Sequence, residues 1–188
     1  MKKGRLIIIS GPSGVGKGTI IKELLKNNKE LWYSISMTTR QKREQEIDNV
    51  HYFFVTPEEF RKNIENNNFI EYAQVYNDIY YGTPKHKVEE KKNQGYDVIL
   101  EIDVEGMENI KKYDKDALSI FIAPPSIEEL EKRLRERNTE KEEKIRERIK
   151  KAKKEIDKKD LYDYIVINDN LENAIKETEN IIKNKSLQ

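Results

Sequence analysis

Four of the chain's 8 glycines fall in one eight-residue stretch, Gly11-Pro12-Ser13-Gly14-Val15-Gly16-Lys17-Gly18, directly behind the apolar run Leu6 to Ile9. Glycine takes backbone conformations that side chains forbid, so consecutive N–H groups can converge on one point. Set between a buried strand and the positive end of a helix, such a loop wraps phosphate oxygens, and Lys17 adds a mobile charge for the outer phosphates. The spacing G-x-x-x-x-G-K therefore requires a strand before it and a helix, Thr19 to Leu25, behind it.

With this composition the spacing arises by accident with a probability of about 5%, and the flanking strand and helix lower that further. The stretch looks like a P-loop. It departs from the pattern at Gly18, where a hydroxyl is expected after the lysine, and Thr19 follows. The usual Mg²⁺-ligating hydroxyl is thus missing in register, and Mg²⁺ is expected on nucleotide oxygens, water and acids elsewhere. A P-loop indicates a nucleoside triphosphate without naming the reaction. An Asn-Lys-x-Asp guanine motif of the GTPase kind is absent from the sequence.

Apolar runs alternate with amphipathic stretches, the pattern of an α/β sheet with helices on its faces. Strands are expected at Arg5 to Ser10, Tyr33 to Ser36, Asp97 to Ile102, Ala117 to Ile122 and Asp163 to Ile167. Reciprocal caps mark helix starts at Thr56 with Glu59, Ser126 with Glu129 and Thr139 with Glu142. The span from about Thr38 to Pro84 breaks the alternation, with short Tyr-rich strands at His51 to Val55 and Phe69 to Tyr76 around one helix. It reads as an inserted lobe. Residues 137–160 carry eleven basic and seven acidic side chains, net +4, while Ile145, Ile149, Ala152 and Ile156 keep helical spacing, so one face packs and the rest is solvated.

Length and charge narrow the classes further. A chain of 188 residues suits one domain. Its 36 basic and 35 acidic residues leave +1, which gives no reason to expect nucleic acid or an acidic membrane as partner. The absence of cysteine excludes disulfides and thiolate metal sites, and two isolated histidines, His51 and His86, do not make a zinc site. The run behind Met1-Lys2-Lys3 is shorter than a signal peptide's apolar region, and no stretch approaches the ~18 apolar residues of a membrane span. A cytoplasmic chain is expected.

Lysines outnumber arginines 27 to 9, so arginine positions stand out. Arg40 and Arg43 follow Ser36-Met37-Thr38-Thr39; Arg133, Arg135, Arg137, Arg146 and Arg148 cluster around the charged segment. A guanidinium donates paired bonds to phosphate and keeps its charge at any working pH. Two such groups fit one phosphate held on the acceptor side and a second being transferred, while Arg135 and Arg146 equally suit surface ion pairs. Glu101 and Asp103 leave the C-terminal end of a buried strand, where acids face a ligand crevice and suit a metal-bound water or a lysine; Asp103 is also placed to cap a helix.

With these residues in view, the chain resembles the guanylate kinase family. The ordered blocks are Gly11 to Thr19, Ser34-Ile35-Ser36-Met37-Thr38-Thr39-Arg40 with Arg43, Phe69 to Tyr72, Tyr80 to Thr83, Leu100 to Asp103, Ile122 to Ser126 and Ile167 to Asp169. The resemblance implies an α/β fold: a P-loop three-layer core with a central parallel sheet (1–36, 85–136 and 151–188), an inserted mixed GMP-binding lobe (about 37–84) and a helical lid (about 137–150). It implies ATP and GMP as substrates, Mg²⁺ with the ATP, purine nucleotide metabolism, and a monomer or homodimer. By position, Arg40, Arg43, Tyr52 and Tyr81 match ligands of the GMP phosphate, and Ser36, Glu71 and Thr83 match ligands of guanine, with Glu101 and Asp103 also on the GMP side. Gly11, Pro12, Ser13, Gly14, Val15, Gly16, Lys17, Gly18 and Thr19 match the ATP loop, Asn168 lies where the family holds adenine, and Arg137 and Arg148 match lid arginines. Lys17, Arg43, Arg137 and Arg148 are the implied catalytic set.

Chemistry agrees with these positions. Guanine's N1–H and N2–H₂ are adjacent donors that one carboxylate accepts, whereas adenine would set a lone pair against it. The chain departs from the family at Lys42, where Pro is common, at Gln45 before Glu46, where Gly is common, at Thr83 for Ser, and at Asn138 for Gly. Two rival readings differ in class. A kinase for another nucleoside monophosphate would share the loop and lid, and a phosphopeptide-binding scaffold domain of guanylate-kinase type would carry a damaged loop in a longer chain.

Overall fold

The computed structural model describes residues 3–76, 79–136 and 142–184. The strands among the described residues run β1 Leu6–Ser10, β2 Leu31–Ser34, β3 Met37–Thr38, β4 Phe53–Phe54, β5 Phe69–Tyr76, β6 Ile79–Pro84, β7 Asp97–Glu101, β8 Leu118–Ala123 and β9 Tyr164–Ile167. The helices among the described residues are α1 Lys17–Asn27, α2 Pro57–Glu65, α3 Lys85–Asn93, α4 Val104–Tyr113, α5 Ile127–Glu136, α6 Glu142–Ile156 and α7 Leu171–Asn184. A central parallel sheet has the order β2-β7-β1-β8-β9, and a separate mixed sheet the order β4-β3-β6-β5. The chain is thus α/β, as the alternation of runs predicts. The fold divides into two compact units, 7–29 with 101–104 and 118–188, and 1–6 with 30–100 and 105–117.

In the first of these units, β8 pairs in parallel with β1, Ile7 opposite Leu118 and Ser10 opposite Phe121. Every residue of β1 and β8 is buried, which is why both read as unbroken apolar runs. Expected and observed strands agree to within a residue here. At the far edge, β9 begins at Tyr164 instead of Asp163, because the Asp163 carboxylate accepts the Ser119 N–H and hydroxyl, both at 2.8 Å, and so closes the end of the pair. Helix α7 buries Ala174, Thr178 and Ile182 at four-residue spacing, and the Thr178 hydroxyl donates to the Ala174 carbonyl at 2.7 Å. Ser126 caps α5 by accepting the Glu129 N–H at 3.1 Å, while the Glu129 carboxylate takes Arg133. The expected Thr139 cap lies outside the described residues.

In the second unit, β2 lies two residues earlier than Tyr33 to Ser36. Its parallel register with β7, Leu31 opposite Asp97 and Ser34 opposite Leu100, sets both ends. Beyond Ile35 the chain enters the mixed sheet as β3, where Met37 faces Gly82 in antiparallel β6. The capping box at α2 forms in both directions: Thr56 Oγ accepts the Glu59 N–H at 3.2 Å, and Glu59 accepts the Thr56 N–H at 2.8 Å. Helix α2 drives Phe60, fully buried, against Phe69 with ring centroids 4.5 Å apart. Gly82 permits that stack, since a Cβ there would sit 2.9 Å from the Phe69 ring. The strand expected over His51 to Val55 shrinks to Phe53–Phe54 because the residues before it turn: the Ile47 carbonyl accepts the His51 N–H at 3.0 Å and the Tyr52 carbonyl accepts the Asn49 N–H at 2.9 Å, while the Asp48 carboxylate accepts the Phe54 N–H at 3.0 Å.

Candidate active site

Helix α1 opens on Gly16, whose φ of 100° only glycine adopts without strain. The first turn of a helix generally leaves N–H groups to be satisfied from outside it, which is the physical basis for reading this loop and helix start as an anion cradle. Lys17 Nζ donates to the carbonyls of Gly11, 2.7 Å, and Pro12, 3.2 Å, and is thus folded over the loop it serves. Arg148 of α6 reaches the same loop, with a guanidinium nitrogen 3.4 Å from the Ser13 hydroxyl. Asn168, only 5% exposed, donates its side-chain amide to the Val15 carbonyl at 2.7 Å. Lys17, Ser13, Val15, Gly16, Arg148 and Asn168 are therefore brought together in one unit, with Pro12 and Thr19 in the same loop and helix start. Arg137 lies outside the described residues.

Glu101 closes β7 and Asp103 immediately precedes α4, in the unit that carries the loop. The sequence pattern did not single out Glu155 of α6. Burial pushes its carboxyl above the usual range, against the pull of Lys151 and Lys17, and Asp103 adds to the rise. Its neighbourhood with Lys17 and Asp103 depends on folding, so the helical spacing of Ile145, Ile149, Ala152 and Ile156 gave no sign of it. Among the described residues no three His, Cys, Asp or Glu side chains converge as a metal cage. Glu101 and Asp103 are the acids in this unit that could take the water shell of a Mg²⁺ carried by phosphates.

The other unit holds a second group. Arg40 donates to both Glu46 oxygens, at 3.0 and 2.7 Å, to the Gln41 carbonyl at 2.8 Å and to the Tyr81 hydroxyl at 3.0 Å. Its guanidinium carbon lies 5.4 Å from the Tyr52 ring centroid and 5.7 Å from that of Phe54. Glu46 also accepts the Arg43 N–H at 2.9 Å, so one carboxylate ties both arginines of the Ser-Thr run. The bond from Arg40, then the Arg43 amide, hold the Glu46 carboxyl down to about 2. The Arg43 side chain itself is exposed. Lys42 and Gln45 do not prevent this turn, although they depart from the pattern Glu46 belongs to.

Thr83, 2% exposed, donates its hydroxyl to Glu71 at 2.6 Å across the β5–β6 pair. The Thr83 proton is thereby committed to the carboxylate, and Ser36 lies at the entry to β3. Arg135 and Arg146 are the ion pairs their positions allowed: Arg135 bridges Glu131, at 2.7 Å, and Glu142, and Arg146 lies 3.5 Å from Glu142.

Comparison with known proteins bears on this arrangement. Residues 3–185 match the family model described as guanylate kinase. A guanylate kinase of Carboxydothermus hydrogenoformans is 50% identical over 188 residues, covering 100% of this chain and 92% of the relative. One of Clostridium tetani is 51% identical over 182 residues, covering 97% and 86%. The crystal structure of guanylate kinase from Anaplasma phagocytophilum superposes with a TM-score of 0.81 at 31% identity, covering 100% of this chain and 88% of that one.

Proposed function

Because this chain belongs to the guanylate kinase family and is a nucleotide kinase acting on GMP, we propose that ATP is the donor and that ADP and GDP are the products, in cytoplasmic purine metabolism. The ATP tail lies in the loop of residues 11–19, on the N–H groups of its residues other than Pro12, with Lys17 on its outer phosphates. The GMP phosphate takes Arg40, Arg43, Tyr52 and Tyr81, and guanine takes Ser36, Glu71 and Thr83. Arg137 and Arg148 meet the group in transit. An oxygen of the GMP phosphate attacks the γ-phosphorus in line as the bond to the β–γ bridging oxygen breaks and ADP leaves with that electron pair.

Two anions must meet in this step, so the protein's main task is to offset charge and keep out water that would hydrolyse ATP. Lys17 and the arginines supply fixed positive charge. Mg²⁺, bound with ATP, supplies further charge neutralisation on the phosphates. We read the chain as one domain in which the lobe, about 37–84, and the lid, about 137–150, are the parts that exclude water during transfer. Among the described residues no helix is long and apolar enough to cross a membrane.

The Thr83–Glu71 bond is the observation that carries the choice of GMP. A buried hydroxyl fixes one carboxylate oxygen, and the carboxylate accepts the paired donors that guanine alone among the common bases presents at N1 and N2. Steady-state assays with GMP, AMP and dTMP test it. Glu71→Gln, which sets an amide against those donors or leaves one unpaired, lowers kcat/KM for GMP by roughly a hundredfold. An equal loss for every acceptor, or a wild-type preference for AMP or dTMP, would contradict the assignment.

A further inference from the structure

Resting on the loop as the donor's phosphate cradle, we propose that Asn168 is a positioning residue of that cradle, acting by orienting the peptide between Val15 and Gly16. Its side-chain amide donates to the Val15 carbonyl at 2.7 Å. A trans peptide is planar, with carbonyl and N–H pointing in opposite directions, so fixing the Val15 carbonyl fixes the Gly16 N–H the opposite way. That N–H belongs to the row of amides meant for phosphate. Left alone, a glycine-rich peptide rotates readily, and a flipped peptide would present an oxygen to the anion in place of a donor.

Asn168 is itself held through both of its backbone polar groups. Its N–H donates to the Ala123 carbonyl at 2.8 Å, which continues the β8–β9 ladder past Ile167. Its carbonyl accepts from Arg133 at 2.9 Å, and Arg133 is in turn steadied by Glu129 at 3.1 Å. The approach is close: a Cβ on Gly16 would sit 2.5 Å from the Asn168 amide nitrogen, so Gly16 is required for this contact as well as for its φ. A side chain 5% exposed, with its donor on a loop carbonyl, acts first on the loop. Its effect on ATP therefore reaches the phosphates whatever the base.

The test separates phosphate from base. Asn168→Leu keeps size and adds no charge but removes the donor. Binding of inorganic tripolyphosphate, of ATP and of GMP is measured by calorimetry on wild type and variant, with thermal unfolding as a check on folding. We expect tripolyphosphate and ATP each to bind on the order of tenfold more weakly to the variant, with GMP unchanged, from a buried carbonyl left without its partner. Loss of ATP affinity with tripolyphosphate unchanged would overturn the proposal and make Asn168 an adenine contact. Should Asn168→Leu not fold, Arg133→Lys, which keeps the charge but not the planar fork, gives a smaller loss of tripolyphosphate affinity, and an unchanged value overturns the proposal. Wild type that binds neither ATP nor tripolyphosphate would instead sink the cradle reading itself.

Discussion

The two halves of the proposed chemistry are built from different materials. The loop before α1 presents main-chain amides, and its conformation follows from glycine spacing between a buried strand and a helix. The group around Arg40 is made of side chains from separate parts of one unit: Glu46 from a turn, Tyr52 beside β4, Tyr81 from β6. A site made of backbone tolerates change in most side chains but not in its peptide orientations. A site made of side chains can lose one member and keep its outline, because aromatic stacking and paired hydrogen bonds share the load.

That contrast predicts unequal sensitivity. Lys17→Met removes the one mobile charge from the loop and should lower kcat by roughly a hundred- to a thousandfold, the scale of losing a donor aimed at developing charge. A loss of only a fewfold would show that the amides alone carry the donor site. Glu46→Gln should be milder, lowering kcat/KM for GMP about tenfold as one charge-assisted partner of Arg40 is weakened. It should also change acid stability in a defined window. The folded carboxyl is depressed to about 2 from 4.5, so its contribution is complete above the unfolded value and is lost as pH falls from 4.5 through about 2. The variant's stability, followed by chemical denaturation, should be flatter than wild type across that interval; parallel curves would mean that Glu46 does not hold Arg40 in solution.

The smallest change expected is at Gly18. A Cβ there meets nothing within 4 Å, so Gly18→Ser fits the first turn of α1 and restores the hydroxyl that P-loops usually carry at that point. It should add about 0.5 kcal/mol of stability by reducing unfolded-chain freedom, read as a rise in denaturant midpoint, and tighten ATP binding in the presence of Mg²⁺ only severalfold. A drop in stability would show that glycine is needed there for a reason its surroundings do not reveal.

The same contrast explains what could be read from the chain alone. Strands β1, β7 and β8 were legible because burial on both faces leaves unbroken apolar runs, and the edge strand β9 because Ile165, Val166 and Ile167 form such a run although only Val166 is buried. Strand β6, with Tyr-Tyr-Gly-Thr-Pro, was hidden by Gly and Pro, and it exists because β3 and β5 lie on either side of it. The ends of β2 are set by β7, more than sixty residues later, and not by its own residues. The loop was legible in eight letters, whereas the Arg40–Glu46 pair depends on a turn whose residues depart from the family pattern. Glu155 and the Asn168–Val15 bond left no local trace, since a half-buried carboxylate and a side-chain amide acquire their roles from neighbours distant in sequence.

Crossed titrations test most directly whether donor and acceptor are held by independent groups. Wild type, Lys17→Met and Glu71→Gln are each titrated with GMP alone and with ATP alone. Independence of the two groups predicts that Lys17→Met binds GMP as wild type does while losing ATP affinity, and that Glu71→Gln does the reverse. Loss of GMP binding in Lys17→Met, or of ATP binding in Glu71→Gln, in a protein that still unfolds cooperatively, would contradict it.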